Sequence, residues 1–597
     1  MEDRMKRLKW LKLCVCGMLL SSSSFVWAYN PGNPTGGVVF TNDNAVWDYS
    51  TATEYIGISD GENGVLIMND GSVTAANLNL GHNAGASNNL GTVTGAGSTW
   101  SIGSNLTLGR YGDLNAIRVE NGALMSIGAR TYLGANAGSE SNSLFVAGSG
   151  SVFSNGTHLY IGYNGDGNGQ AVTLSDGGSM AVGDGLFLGY GSDWNTLRVE
   201  SGAAMTVAAS AYLGYLAGSE SNSLVVTGNG SDLSAATHLY VGNNTGEGQS
   251  VTVSDSGNLT LGDSLFLGNV SGSNELRVDS GASMTVSNRV YIGQNAGSES
   301  NTLVVTGSGS SLSTVSHLYI GNSTASGHSV TVSDGGHLIA GGTAYLSYNT
   351  GGNHTVTVTG SNSVMQAVTV YIGGHQAAAQ AAGDKLIVGA GALLDSTRVT
   401  VYDGNTLVLQ EGGRLEPGNV VLRGRLELDG GSVIDGGFNA ATNTAVIAMD
   451  IDSGFTPVAL PGTVLLTGAN LELTFNAPIS GVQTIDLFDW TADYITGSFS
   501  ITSNLQAGYV LNTDDLYITG EITISPAEIG EIALEGIGSD AVVSWQGVSG
   551  LSYTLQRSLD LTSGIWSNVV NGVSGAGTLS ATNLVSEPVA FYRITAE

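Results

Sequence analysis

The phrase AGSESNSLVVTG at residues 217–228 is written three times with little change, as AGSESNSLFVAG at 137–148 and AGSESNTLVVTG at 296–307. The copies begin 80 and 79 residues apart. A fixed period restricts a chain to architectures that stack copies of one unit, because a single reactive cleft needs its reacting groups only once. A finer period lies inside the first. An aliphatic residue followed by Gly, usually behind an aromatic ring, recurs as TYLG, LYIG, LFLG, AYLG, LYVG and VYIG. The marker glycines are Gly57, Gly81, Gly109, Gly134, Gly162, Gly189, Gly214, Gly242, Gly268, Gly293, Gly321 and Gly373, with Ser347 filling one slot. Successive markers stand 24 to 28 residues apart, so the long period spans three short units.

Each unit holds about three short apolar or alternating runs separated by Gly, Ser, Asn or Asp, as in LYVG, NNTGEGQ, SVTVSDSGN and LTLGDS. The pattern predicts one three-stranded coil of a parallel β-solenoid. The expected fold is all-β: a right-handed β-helix with about 26 residues per coil, then a β-rich cap and a small β-sandwich. No Pro occurs between Pro34 and Pro417, which suits a stack whose strands donate hydrogen bonds to a neighbour on each side. At about 4.8 Å between paired strands, the run from Gly57 to Gly373 makes a rod of roughly 58 Å.

Composition bounds the function classes. Charged residues are 11% of the chain and the formal net charge is −31, with five of the 18 basic residues (Arg4, Lys6, Arg7, Lys9, Lys12) at the N-terminus. The remainder is strongly acidic, so nucleic acid and anionic membrane are not expected partners. After the cations come an apolar run from Leu13 to Leu20, a serine cluster and Val26-Trp27-Ala28. This reads as a secretory signal peptide over residues 1–28, cut near Ala28. Cys14 and Cys16 both fall within it, leaving a mature chain without disulfide or thiol chemistry. No later stretch reaches the roughly 18 apolar residues of a transmembrane span.

The period turns repeated residues into columns. His158, His238 and His317 are equivalent, but positions three coils apart are separated by roughly 14 Å, whereas zinc ligands sit about 2 Å from one ion. No metal site is expected. The series Glu140, Glu220, Glu299 has the same separation. Arg118, Arg198 and Arg277 each precede Glu120, Glu200 or Asp279 by two residues, on one strand face, as solvated ion pairs. Asp176, Asp255 and Asp334 recur in SDGG or SDSG, where Asp and Gly suit a turn. The NGDGNG run at 164–169 lacks the spacing and terminal Glu of a calcium loop.

One column is dense. Tyr132, Tyr160, Phe187, Tyr212, Tyr240, Phe266, Tyr291, Tyr319, Tyr345 and Tyr371 hold the same slot in successive coils. Strand alternation sets each ring opposite its aliphatic neighbours, so the rings point outward if the aliphatics fill the core. Two readings stay open: a stabilising stack, or a flat stripe on which the sugar rings of a polysaccharide lie.

The segment GTVTGAGSTWSIGSNLTLG at 91–109 and the phrase VVTGSGSSLSTVSHLYIGNS resemble the repeat family shared by type V secreted passengers and PEP-CTERM-type exported bacterial proteins. The likeness covers roughly residues 55–375 and implies a secreted or surface β-solenoid, with no catalytic residue to carry over. Residues 439–525, including PGTVLLTGANLELTFN and TIDLFDWTADYITGSFSI, resemble the β-rich segment that often ends such proteins. Neither a Pro-Glu-Pro sorting tail nor a long membrane barrel is expected. The stretch after Pro526, with Trp545, Tyr553, Trp566 and Tyr592, is similar to fibronectin-like modules. The domains are thus read as a leader over 1–28, a solenoid over 29–438, a cap over 439–525 and a module over 526–597.

The expectation is an exported, non-enzymatic surface, matrix or adhesion protein of a Gram-negative-type bacterium, touching polysaccharide or cell-surface glycan through the aromatic column. No cofactor is expected. The rival is a β-helix polysaccharide lyase or hydrolase. Between Gly57 and Gly373 the Lys and Arg residues are only Arg110, Arg118, Arg130, Arg198, Arg277 and Arg289, a poor set from which to build one catalytic cluster.

Overall fold

The computed structural model describes residues 39–596, apart from 166, 376, 377, 380, 538, 539, 549, 550, 576 and 585–588. The leader expected over 1–28 lies outside the described residues. Three parallel sheets wind along the chain. A representative turn contains Ser223–Thr227, Asp232–Ala235 and Leu239–Val241. Each strand pairs in parallel with its equivalent in the next turn, Ser223 with Ser250, Asp232 with Asn258 and Leu239 with Leu265. About 18 such turns follow one another some 26 residues apart, forming the three-stranded parallel solenoid expected from the marker spacing.

Alternation drives the winding. Leu224, Val226, Leu233, Ala235, Leu239 and Val241 point inward and are at most 2% exposed, while the residues between them face out. In-register pairing repeats this in every turn, so the buried side chains merge into one apolar core running from Ile56 to Ile522. The parallel ladders continue past residue 438. Val446–Ile451 pairs with Val464–Phe475, which pairs with Ile495–Ser503. Much of the segment that reads as non-repetitive is therefore wound into the stack. Beside its last strands, Gln483–Asp486, Tyr509–Asn512 and Glu521–Pro526 form a small antiparallel sheet. Leu516 is wholly buried there, and its carbonyl accepts the Trp490 indole N–H at 3.1 Å.

The C-terminal strands form two antiparallel sheets. Ala533–Ile537, Asp540–Gly547 and Gly577–Leu584 make one; Ser552–Ser558, Ser567–Ser574 and Phe591–Ala596 make the other. They enclose a separate core holding Trp545 and Tyr553, while the Arg593 guanidinium sits 4.3 Å from the Trp566 ring.

A polar column runs inside the solenoid at the corner before the first sheet. Its members are Asn63, Asn89, Asn115, Asn142, Gln170, Asn195, Asn222, Gln249, Asn274, Asn301, His328, His354, Asp384 and Asn405, each at most 2% exposed. Each backbone N–H from Asn63 to Asp384 donates to the side chain of the next member, at 2.9–3.2 Å. In Asn89, Asn195, Asn274 and Asn301 the side-chain N–H also donates to the carbonyl three residues earlier. Corner amides that no strand could pair are satisfied in this way.

The column also explains the marker glycines. A Cβ on Gly189 would collide with Asn222, on Gly268 with Asn301, and on Gly321 with His354, each closer than the 3.0 Å that real Cβ atoms respect. These glycines adopt φ of +73°, +77° and +76°, a region costly for most side chains. Marker and ladder residue therefore form one unit. In the exceptional turn, Ser347 keeps the left-handed φ of +62° and its hydroxyl lies by Asp384.

Asn222→Ala should leave the Asn195 amide without an acceptor, at a cost of about 1–3 kcal/mol. Hydrogen exchange should show the loss of protection centred on Asn195, and unchanged exchange there would refute the bond's role. A second expectation concerns acid. Asn301 and His328 donate their N–H groups to the Nδ1 atoms of His328 and His354, which fixes both rings as neutral Nε2–H tautomers. Burial lowers the pKa of His328 to about 3, with help from the neighbouring His354, and that of His354 to about 4. A histidine depressed in the folded state contributes stability above its unfolded value near 6.5, which is lost as pH falls toward the folded values. Asp384 works in the opposite sense: burial raises its pKa to about 6, so its contribution is present below about 4 and is lost as pH rises through 6. Unfolding at pH 7 and pH 4.5 should show a smaller acid loss in His328→Asn/His354→Asn than in the natural chain.

Candidate functional site

From Tyr132 to Tyr319 the aromatic column occupies the middle position of the three-residue strands, and Tyr345 and Tyr371 stand one residue before the ends of longer ones. Leu239 and Val241 flank Tyr240 and are fully buried, so the ring points away from the core. Register pairs Tyr212 with Tyr240 and Tyr240 with Phe266. From Tyr132 through Tyr160, Phe187, Tyr212, Tyr240, Phe266, Tyr291, Tyr319 and Tyr345 to Tyr371, each centroid lies 4.6–5.6 Å from the next, with planes within 17° of parallel. The ladder ends at Tyr402, tilted by 32° at 6.3 Å.

The rings stack as the first of the two readings describes, and the stacking governs which part of each ring is open. Each inner ring has a parallel neighbour on either side, so its faces turn toward other rings and its edge is what reaches solvent. Tyr160, Tyr291 and Tyr371 are less than 10% exposed although they lie outside the core.

Two further columns border the ladder. On one side stand residues two positions before each ring. His158, His238 and His317 sit here edge-on to the ladder, with centroids 5.6–6.1 Å away. Their Nδ1 atoms accept the backbone N–H groups of Gly185, Ser264 and Thr343. The histidine series thus ties one turn to the next. Arg289 holds the same slot and donates to the Tyr291 hydroxyl at 3.3 Å.

On the other side stand the residues just after each marker. Tyr163, Tyr190 and Tyr215 stack on one another at 5.0–5.1 Å and meet the ladder edge-on. Asn243, Asn269, Gln294 and Asn322 continue the column, their N–H groups bonding to successive marker carbonyls, before Tyr348 restores a ring. Where the rings give way, a shallow cleft of about 350 Å³ opens between Tyr215, Tyr240, Phe266, Asn243, Asn269 and Gln294.

The other predicted features remain distributed. Arg118 pairs with Glu120 at 3.1 Å and Arg277 with Asp279 at 2.5 Å, both partly exposed, and Arg198 contacts Glu200. Asp176, Asp255 and Asp334 adopt left-handed φ values of +52°, +51° and +54° in their turns. Among the described residues, no group of three or more His, Cys, Asp or Glu is placed to hold a metal ion. Burial raises the carboxyls of Glu54 and Asp384 to about 7 and about 6. Glu54 lies in the first turns, against Leu78, and Asp384 lies far along the rod beside His354, so the two do not form an acid/base pair.

The fold is a parallel β-solenoid whose outward side chains form long columns. No family model matches the chain, and no curated protein matches it. Among solved structures it is similar to a TibC-catalysed hyper-glycosylated TibA55-350 fragment, with 15% identity, a TM-score of 0.25, and coverage of 70% of this chain and 99% of that one. No helix among the described residues is long and apolar enough to cross a membrane.

Burial, followed by the charge of neighbouring phenols, pushes Tyr160 and Tyr319 up to about 12. A phenol raised in the folded state contributes stability that is complete below its unfolded value near 10 and lost as pH rises through 12. Alkaline titration followed by tyrosinate absorbance should therefore show a late phase coinciding with loss of β circular dichroism. Tyr160→Phe/Tyr319→Phe should shrink that phase, and an unaltered titration would contradict the assignment.

Proposed function

We propose that this chain is an exported, non-enzymatic surface or matrix component that adheres through the bordered edge of its aromatic ladder, with polysaccharide or cell-surface glycan as partner. The observation carrying the reading is the register itself. Equivalent side chains are spread along a rod instead of gathering at one point, which suits contact with an extended, repetitive ligand. Glu54 and Asp384, the carboxyls that burial raises to about 7 and about 6, stand in separate turns far apart along the rod. The resemblance to exported repeat proteins supports a location on or outside the cell, after removal of a leader near Ala28. The two antiparallel C-terminal sheets fit a fibronectin-like module as a spacer or anchor.

Purified protein should be retained on insoluble polysaccharide without releasing reducing ends or unsaturated products. Tyr212→Ala/Tyr240→Ala/Tyr291→Ala should weaken retention while β circular dichroism persists. Full retention by that folded variant would confine the ladder to a structural role, and sustained release of products would make the chain an enzyme.

A further inference from the structure

In the column following the marker glycines, three successive tyrosines give way to four carboxamides, and the change coincides with the cleft. Tyr163, Tyr190 and Tyr215 press edge-on against the ladder, and Tyr348 does so again. Between them the slot passes to Asn243, Asn269, Gln294 and Asn322. Four turns span roughly 19 Å at about 4.8 Å per rung. Over that length a wall of ring edges becomes a wall of carboxamides, and Tyr240 and Phe266 border open space.

The wall is organised. The Asn269 side chain donates to the Asn243 carboxamide oxygen at 3.1 Å, and Asn295 donates to that of Asn269 at 3.0 Å. Gln294 is the exception: its carboxamide oxygen is buried and has no donor. A buried acceptor without a donor costs free energy. None of the side chains lining the cleft is charged, although the chain as a whole carries −31.

Deepening the adhesive reading above, on which this step rests, we infer that the segment from Tyr215 to Tyr348 is the glycan subsite and that its ligand is a neutral, linear oligosaccharide lying along the rod. Ring edges meet the apolar C–H surface of the sugars, and the carboxamides exchange hydrogen bonds with their hydroxyls. An anionic glycan would meet no cation in the cleft, since Arg289 stands on the opposite margin of the ladder, and would face the negative field of the whole protein. Binding to a neutral ligand in an uncharged cleft is insensitive to salt.

The test uses the full chain and fills the cleft with the residue the same column carries elsewhere: Asn243→Tyr/Asn269→Tyr/Gln294→Tyr. Calorimetric titration with cellohexaose and chitohexaose as neutral probes, and with oligogalacturonate as the anionic one, gives the readout. At least one neutral hexasaccharide should bind the natural chain equally at low and high salt. The filled variant should bind it at least tenfold more weakly while keeping its β circular dichroism. Asn243→Tyr alone should give a smaller loss in the same direction, and serves if the triple variant does not fold. Absence of neutral binding, stronger binding of oligogalacturonate, or unchanged affinity in a folded filled variant would each overturn the assignment. A filled variant still retained on insoluble polysaccharide would remove this cleft from the picture while leaving adhesion by the rod intact.

Discussion

Everything along this rod depends on how one turn is fastened to the next at the corner where the strands cannot do it. In the straight segments, parallel pairing satisfies the backbone. Between the third sheet of one turn and the first sheet of the next, the chain must bend while its amides remain buried. A carboxamide handles both demands, accepting the N–H of the preceding turn through its oxygen and securing its own bend through its nitrogen. The space for it comes from a glycine whose missing Cβ would stand where the carboxamide lies. Because ladder and glycine occur once per turn, they hold the turns in register, and register aligns the outer columns.

Alignment then acts on the surface. Rings at one slot in consecutive turns are brought to stacking distance by the strand spacing itself, so the ladder follows from the corner fastening and does not require its own folding element. Once stacked, the rings shield one another's faces. The side chains left facing outward are at the margins, where histidines and arginines line one side and tyrosines or carboxamides the other. The composition of a margin can change from turn to turn without disturbing the core, because its side chains point away from it.

The fold is largely legible in the sequence. The marker glycines, the shortage of proline and the alternation of Leu and Val revealed a three-stranded coil, since each reflects a repeated local condition. The polar ladder is equally present in the sequence, since Asn142, Asn222 and Asn301 sit within the thrice-written phrase itself. Asn beside Gly and Ser in a turn looks like solvent-facing turn chemistry, and burial at a corner depends on a neighbouring turn that a linear reading does not supply. The outward direction of the aromatic rings followed from alternation, but the turning of their faces toward one another required ring orientation, which spacing does not encode. The extension of the stack to Ser503 was obscured because turns from Lys385 onward vary in length and lose the marker, while the core still alternates.

The recurrence of one phrase every three turns has a consequence for how such a chain is remodelled. A block of three turns begins and ends on equivalent corner residues, so excising or duplicating it joins surfaces already shaped to meet, with carboxamide again opposite glycine. The reach of the molecule is therefore set by copy number, and its terminal parts can be carried nearer together or farther apart while each keeps the neighbours it was built against.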